Sequence, residues 1–102
     1  MSKRKFSKTL QPHELDRIAA RFRALGEPMR LRILQAVCGR RLTVNEIAAA
    51  AGASQANVSK HLALLAAAGI LAREPDGQCV YYSLKDALTV KMCELVHSQL
   101  VD

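Results

Sequence analysis

The chain has 102 residues and a mass of 11.2 kDa, which leaves room for one domain with a modest core and not for two. Half of the residues are hydrophobic and 24% are charged, which suits a globular chain, while 4% aromatics and no Trp argue against an all-β sandwich or a base-stacking sheet. Lys+Arg 15 against Asp+Glu 9 gives a net charge of +6, an excess that points to a polyanionic partner, most often nucleic acid.

The three cysteines, Cys38, Cys79 and Cys93, are an odd number and form no disulfide framework. Reduced thiols in a cytoplasm are the simpler expectation. The basic N-terminus is not followed by an apolar stretch, so no signal peptide is expected. The longest apolar run, Leu62 to Ala72, is far short of the roughly 20 residues of a membrane span.

Residues 1–10 read as a flexible basic arm carrying Lys3, Arg4, Lys5 and Lys8, and residues 11–102 as the domain. Pro12 suits a first helical turn, and Leu15, Ile18, Ala19 and Phe22 recur at helical spacing as far as Leu25 and Gly26. Pro28 opens a second helix with Met29, Ile33 and Val37 on one stripe and Leu31, Leu34 and Cys38 beside it, closed by Gly39. Arg40 and Arg41 read as a link. Thr43 and Glu46 have the spacing of a capping box, followed by Val44, Ile47, Ala48 and Ala51. Gly52 breaks that helix, Ser54 caps the next, and Val58, Leu62 and Leu65 form its buried stripe up to Gly69.

The period then shortens. Ile70 to Glu74 is an expected strand, Pro75-Asp76-Gly77-Gln78 a turn, and Cys79 to Leu84 the return strand. Tyr81 and Tyr82 fall on opposite faces of that strand. Ser83 and Asp86 are candidate caps for a last amphipathic helix bearing Leu88, Met92, Leu95, Val96 and Leu100. The fold expected is mostly α with a small β-hairpin, in the order α-α-α-α-β-β-α.

The sharpest signal lies between Thr43 and Leu65: two short capped helices joined by a tight turn, as in a helix-turn-helix. The second begins Ser54-Gln55-Ala56-Asn57-Val58-Ser59-Lys60-His61, where only Val58 belongs to the buried stripe. The amide side chains of Gln55 and Asn57 suit adenine edges, and the hydroxyls of Ser54 and Ser59 suit several bases. Lys60 and the helix N-terminus favour phosphate, and His61 supplies a donor. The hairpin that follows, with Arg73 on its rising strand and Gln78 near its tip, reads as a wing that reaches the backbone or the minor groove. Acidic Glu74 and Asp76 near the same tip oppose strong phosphate contact there.

These residues resemble the ArsR/SmtB family. Ala24-Leu25-Gly26-Glu27-Pro28-Met29-Arg30-Leu31-Arg32-Ile33-Leu34 looks like the family's opening motif. Glu46-Ile47-Ala48, the Ser54 to Leu65 helix, Gly69-Ile70-Leu71 and Tyr81-Tyr82-Ser83-Leu84 follow in its order and spacing. The resemblance implies a winged helix-turn-helix homodimer, joined through its first and last helices, that represses transcription from an imperfect palindromic operator in double-stranded DNA until an effector releases it.

The family's arsenic-type site needs a Cys-x-Cys where this chain has Leu42 to Ile47, without a thiol, and its zinc-type site needs a His where Leu88 stands after Asp86. Relatives that sense persulfide or oxidants place one Cys in the second helix and one in the last, the elements that hold Cys38 and Cys93. The alternative for both is plain core filling, since free Cys is among the most buried residues. Cys93 and His97, at i and i+4, are the weak candidates for a transition metal or metalloid. No cofactor is certain, and no membrane or small-molecule substrate is expected as a partner. A winged-helix protein-interaction module without DNA binding is the competing function. No phosphate loop, carboxylate pair or Ser/His/Asp constellation supports an enzyme.

Overall fold

The computed structural model describes residues 8–101 of the chain. Most of the expected basic arm, residues 1–7, lies outside the described residues. Five helices and three strands follow in chain order: α1 (Pro12–Leu25), α2 (Pro28–Val37), β1 (Leu42–Thr43), α3 (Val44–Ala51), α4 (Gln55–Ala67), β2 (Leu71–Asp76), β3 (Cys79–Leu84) and α5 (Ala87–Leu100).

Local chemistry sets most of these boundaries. Thr43 Oγ1 accepts from Glu46 N–H at 3.3 Å while Thr43 N–H donates to the Glu46 carboxylate at 2.9 Å, closing the expected capping box of α3. Ser54 Oγ accepts from Asn57 N–H at 3.1 Å and starts α4. Between the two, Gly52 takes φ +68°, a left-handed turn that any side chain would strain. The core then gathers from α2, α3, α4 and the sheet: Ile33, Val37, Ile47, Val58, Leu62, Leu65 and Ile70 are all fully buried. The Val58, Leu62, Leu65 stripe is therefore the stem that anchors α4.

Four expectations need correction. Leu42–Thr43 is a third strand, so the sheet runs β1-β3-β2 with all pairs antiparallel, and Leu42 stands opposite Tyr82. A strand of two residues is too short to show a period. The hairpin is also tighter than Pro75 to Gln78: β2 continues to Asp76, which pairs with Cys79, leaving Gly77-Gln78 as the turn. Only Gly77 there has positive φ, +65°, the pattern of a type II′ loop. Pro75 fits inside β2 because that strand lies at the sheet edge. Ser83 lies within β3, and Asp86 alone caps α5. Finally, α2 stops at Val37, which leaves Cys38 outside the helix and exposed; of the residues beside the stripe only Leu34 is buried, and Leu31 is exposed as well.

Two helices are poorly covered. Of α1 only Ala24 is buried, and of α5 only Thr89. The radius of gyration, 15.6 Å, exceeds the roughly 13 Å of a compact chain of this length. Arg21 ties the two helices together: its guanidinium pairs with Asp86 at the start of α5 and donates to the Ala68 carbonyl at the end of α4 at 3.2 Å.

Candidate DNA-reading surface

α3 and α4 pack against each other around Ile47 and Val58, and their turn leaves the first two turns of α4 projecting. Ser54, Gln55, Asn57, Ser59 and Lys60 are all exposed, while Val58 between them is fully buried. Buried Val58, Leu62 and Leu65, spaced by four and then three residues, fix the rotation of the helix, so the polar groups lie on its outward face. That face combines amide donors and acceptors, hydroxyls, one ammonium group and the positive end of a helix dipole, which is the chemistry that reads base edges and holds phosphates. The Ser54 oxygen accepts its cap bond through one lone pair, which leaves its hydroxyl hydrogen and a second lone pair for a ligand.

His61 sits at the inner margin of this face and is half-buried. Its Nδ1 lies 3.2 Å from Arg30 Nη1. Arg30 also donates through Nε to the Ala24 carbonyl at 2.6 Å and through Nη2 to the Arg23 carbonyl at 3.0 Å. The sequence reading did not single out Arg30; its partner His61 lies 31 positions away, beyond any local signal.

On the wing, Arg73 and Gln78 are exposed, as expected. The acidic pair beside them is not free. Arg41 donates to Glu74 Oε1 at 2.8 Å and to Asp76 Oδ2 at 3.0 Å, and lies 4.0 Å from the Tyr81 ring centroid. The hydrogen bonds to Asp76 and then Glu74 raise the Arg41 pKa further above its ordinary value. The β1-β3-β2 register explains the meeting: Glu74 faces Tyr81 across the strands, and Asp76 lies two residues along the same face. Arg41, read from sequence as a link, thus pairs with both acids of the wing and offsets one of their two charges. Changing Arg41 to Ala should weaken binding to duplex DNA about tenfold at low salt, with the loss narrowing as salt is raised, because the exposed carboxylates then repel phosphate. Adding Glu74→Gln and Asp76→Asn should restore most of the affinity in a fluorescence-anisotropy titration.

A separate cleft of about 580 Å³ opens between α2 and α5. Cys38, Cys93, Glu94 and His97 line it together with Leu31 and Leu34. Cys38 is exposed and Cys93 half-buried, so neither fills the core. The residues Val90, Cys93, Glu94 and His97, spaced i, i+3, i+4, i+7, form the cleft face of α5. Among the described residues no group of three or more His, Cys, Asp or Glu side chains could hold a metal ion. Asp86 is engaged in full: Oδ1 accepts from Leu88 N–H at 3.1 Å, and Oδ2 takes Arg21 and the Thr89 hydroxyl. Cys79 and His13 are both exposed, away from the cleft. Among the described residues, no helix is long and apolar enough to cross a membrane.

A short helix-turn-helix whose second helix projects a polar face, followed directly by a β-hairpin, defines a winged helix-turn-helix DNA-binding protein. The model of the bacterial regulatory protein arsR family matches residues 27–73. The nodulation protein NolR of Rhizobium meliloti is 34% identical over 90 residues, covering 82% of this chain and 74% of that protein. A "Probable mercury resistance operon repressor" of Streptomyces lividans is 34% identical over 87 residues, covering 85% and 70%. The solved homodimeric winged helix-turn-helix DNA-binding domain Mb0332 of Mycobacterium bovis superimposes with a TM-score of 0.77 at 25% identity, covering 98% of this chain and 90% of that one. The chain belongs to the arsR family of bacterial regulatory proteins. It is a DNA-binding transcriptional regulator and not an enzyme.

Proposed function

We propose that the chain represses transcription as a two-fold homodimer that presses two copies of α4 into successive major grooves of an imperfect palindrome. The observation that carries this reading is the contrast within α4: a fully buried Val58, Leu62, Leu65 stem beneath exposed Ser54, Gln55, Asn57, Ser59 and Lys60. Gln55 and Asn57 read base edges, Ser54 and Ser59 donate to bases or phosphates, and Lys60 holds phosphate. His61 adds a donor, while Arg73 and Gln78 place the wing on the flanking backbone. Repression agrees with the mercury resistance relative, and dimerisation with the homodimeric mycobacterial domain.

The dimer seam proposed is α1 with α5. Leu15, Ile18 and Phe22 on α1, and Leu88, Leu95 and Leu100 on α5, are large apolar side chains left exposed by the single chain. Two-fold pairing would bury them and set the recognition helices roughly one DNA turn apart. The cleft behind α5 is the proposed sensing site, with the thiols of Cys38 and Cys93 as its reactive groups; a metal or metalloid on Cys93 and His97 would require further ligands.

A direct test is the affinity of Ser59→Ala and His61→Ala for the tightest duplex recovered from a randomised library. Each should lose about 1–3 kcal/mol of binding while keeping its melting temperature. Normal binding by both variants would place the reading surface elsewhere. For sensing, DNA release by metals, oxidants and polysulfide is compared between the reduced protein and its Cys38→Ser and Cys93→Ser variants.

A further inference from the structure

Arg30 is the first-turn arginine of α2, yet none of its side-chain bonds lie within that helix. Two of them close the end of α1: Nε donates to the Ala24 oxygen at 2.6 Å and Nη2 to the Arg23 oxygen at 3.0 Å, which also accepts the Gly26 N–H at 3.2 Å. A guanidinium is planar and its donors are rigidly spaced. Two bonds to α1 therefore fix where its remaining nitrogen, Nη1, points, and that nitrogen meets His61 Nδ1 at 3.2 Å.

An arginine can only donate. The bond consequently requires a lone pair on His61 Nδ1, which leaves the ring proton on Nε2. His61 lies on α4, two positions beyond Ser59 on the projecting half of the helix, with its ring half-buried. We infer that Arg30 is a positioning residue for DNA reading: it holds the His61 ring as an Nε2–H donor and joins the end of α1 to the recognition helix through a single guanidinium. The inference rests on the reading of α4 given above.

A ring fixed in this way accepts nothing through Nε2. It selects an acceptor on the duplex, either a phosphate oxygen or a base acceptor such as guanine N7 or O6, and is mismatched to the amino groups of adenine and cytosine. The two sources differ in outcome. If the acceptor is a phosphate, His61→Ala weakens all sequences alike; if it is a base, the variant relaxes the preference at one position of each half-site.

The test uses the full chain and the tightest duplex recovered from a randomised library. Nitrogen-15 spectra of the imidazole should show His61 with an unprotonated Nδ1 and a protonated Nε2, and Arg30→Met should shift the ring toward a mixture of tautomers. Arg30→Met should lower duplex affinity about tenfold in the native background and less than about twofold in a His61→Ala background, since coupled residues are not additive. Arg30→Lys, which keeps the charge and loses the fork, should fall between. His61→Ala leaves the α1 bonds of Arg30 in place, so a fold defect in the Arg30 variants shows as a loss that persists without His61. A proton on Nδ1 in the native protein, or an equal Arg30→Met loss in both backgrounds, overturns the inference. If Gln55→Ala and Asn57→Ala leave the affinity unchanged, the reading of α4 fails first and this inference falls with it, whatever the tautomer.

Discussion

A Val58→Asp chain should not fold. Val58 is completely buried in the cluster that also holds Ile33, Ile47, Leu62 and Leu65. The substitution removes about 1.5–3 kcal/mol of apolar burial and adds an unpaired carboxylate costing several kcal/mol more. A domain of this kind has only about 5–15 kcal/mol to lose. Circular dichroism should show loss of the cooperative melt. The neighbouring Ser59→Asp supplies the contrast, because Ser59 is exposed. That variant should melt normally and lose duplex binding, since its carboxylate faces phosphate. A soluble Val58→Asp protein with a normal melt would contradict the rotation of α4 described above, and with it the assignment of the outward face.

Leu95→Glu should do the opposite: keep the fold and abolish the dimer. Leu95 is 68% exposed in the single chain, so a charge there costs the isolated domain little. It lies on the same helix as Leu88 at 61% and Leu100 at 77%, a concentration of exposed apolar surface that monomers rarely carry. If α1 and α5 form the seam, the glutamate is buried against its two-fold copy, and equilibrium sedimentation should give a monomer. Operator binding should then fall by about a hundredfold or more, because the second half-site no longer benefits from a tethered partner. A Leu95→Glu protein that remains dimeric would move the seam elsewhere.

How much of this was legible in the chain follows the range of the interactions. The Thr43–Glu46 box, the Ser54 cap and the left-handed Gly52 are contacts over a few residues, and local spacing reveals them. So does the Val58, Leu62, Leu65 stripe. The failures involve distance along the chain. β1 is a strand only because Leu42 and Thr43 meet Tyr82 and Tyr81. Arg41 reads as a link until the sheet brings Glu74, Asp76 and Tyr81 beneath it. Arg30 reads as one family position among others until α1, α2 and α4 meet at its guanidinium. Cys38 shows a different limit: burial statistics for free cysteine do not register that α2 ends one residue earlier, which leaves the thiol at the rim of a cleft.

The outward face of α4 was legible in residue type but not in partnership. Gln55, Asn57, Ser59 and Lys60 were named from chemistry alone, and the structure leaves them exposed. His61 reads as a donor from residue type, but its Nδ1 contact with Arg30 does not show in the sequence. The wing residues Arg73 and Gln78 are exposed, but the charge around them depends on Arg41.

The most direct measurement is an amide NMR titration of the reduced, full-length protein with the library-selected duplex at two salt concentrations. Signals from Ser54 to His61 should move most, those of Arg73 to Gln78 next, and the affinity should fall steeply with salt. Perturbations confined to α2 and α5 with a silent α4, or binding indifferent to salt, would contradict the reading of α4 as the helix that enters the groove.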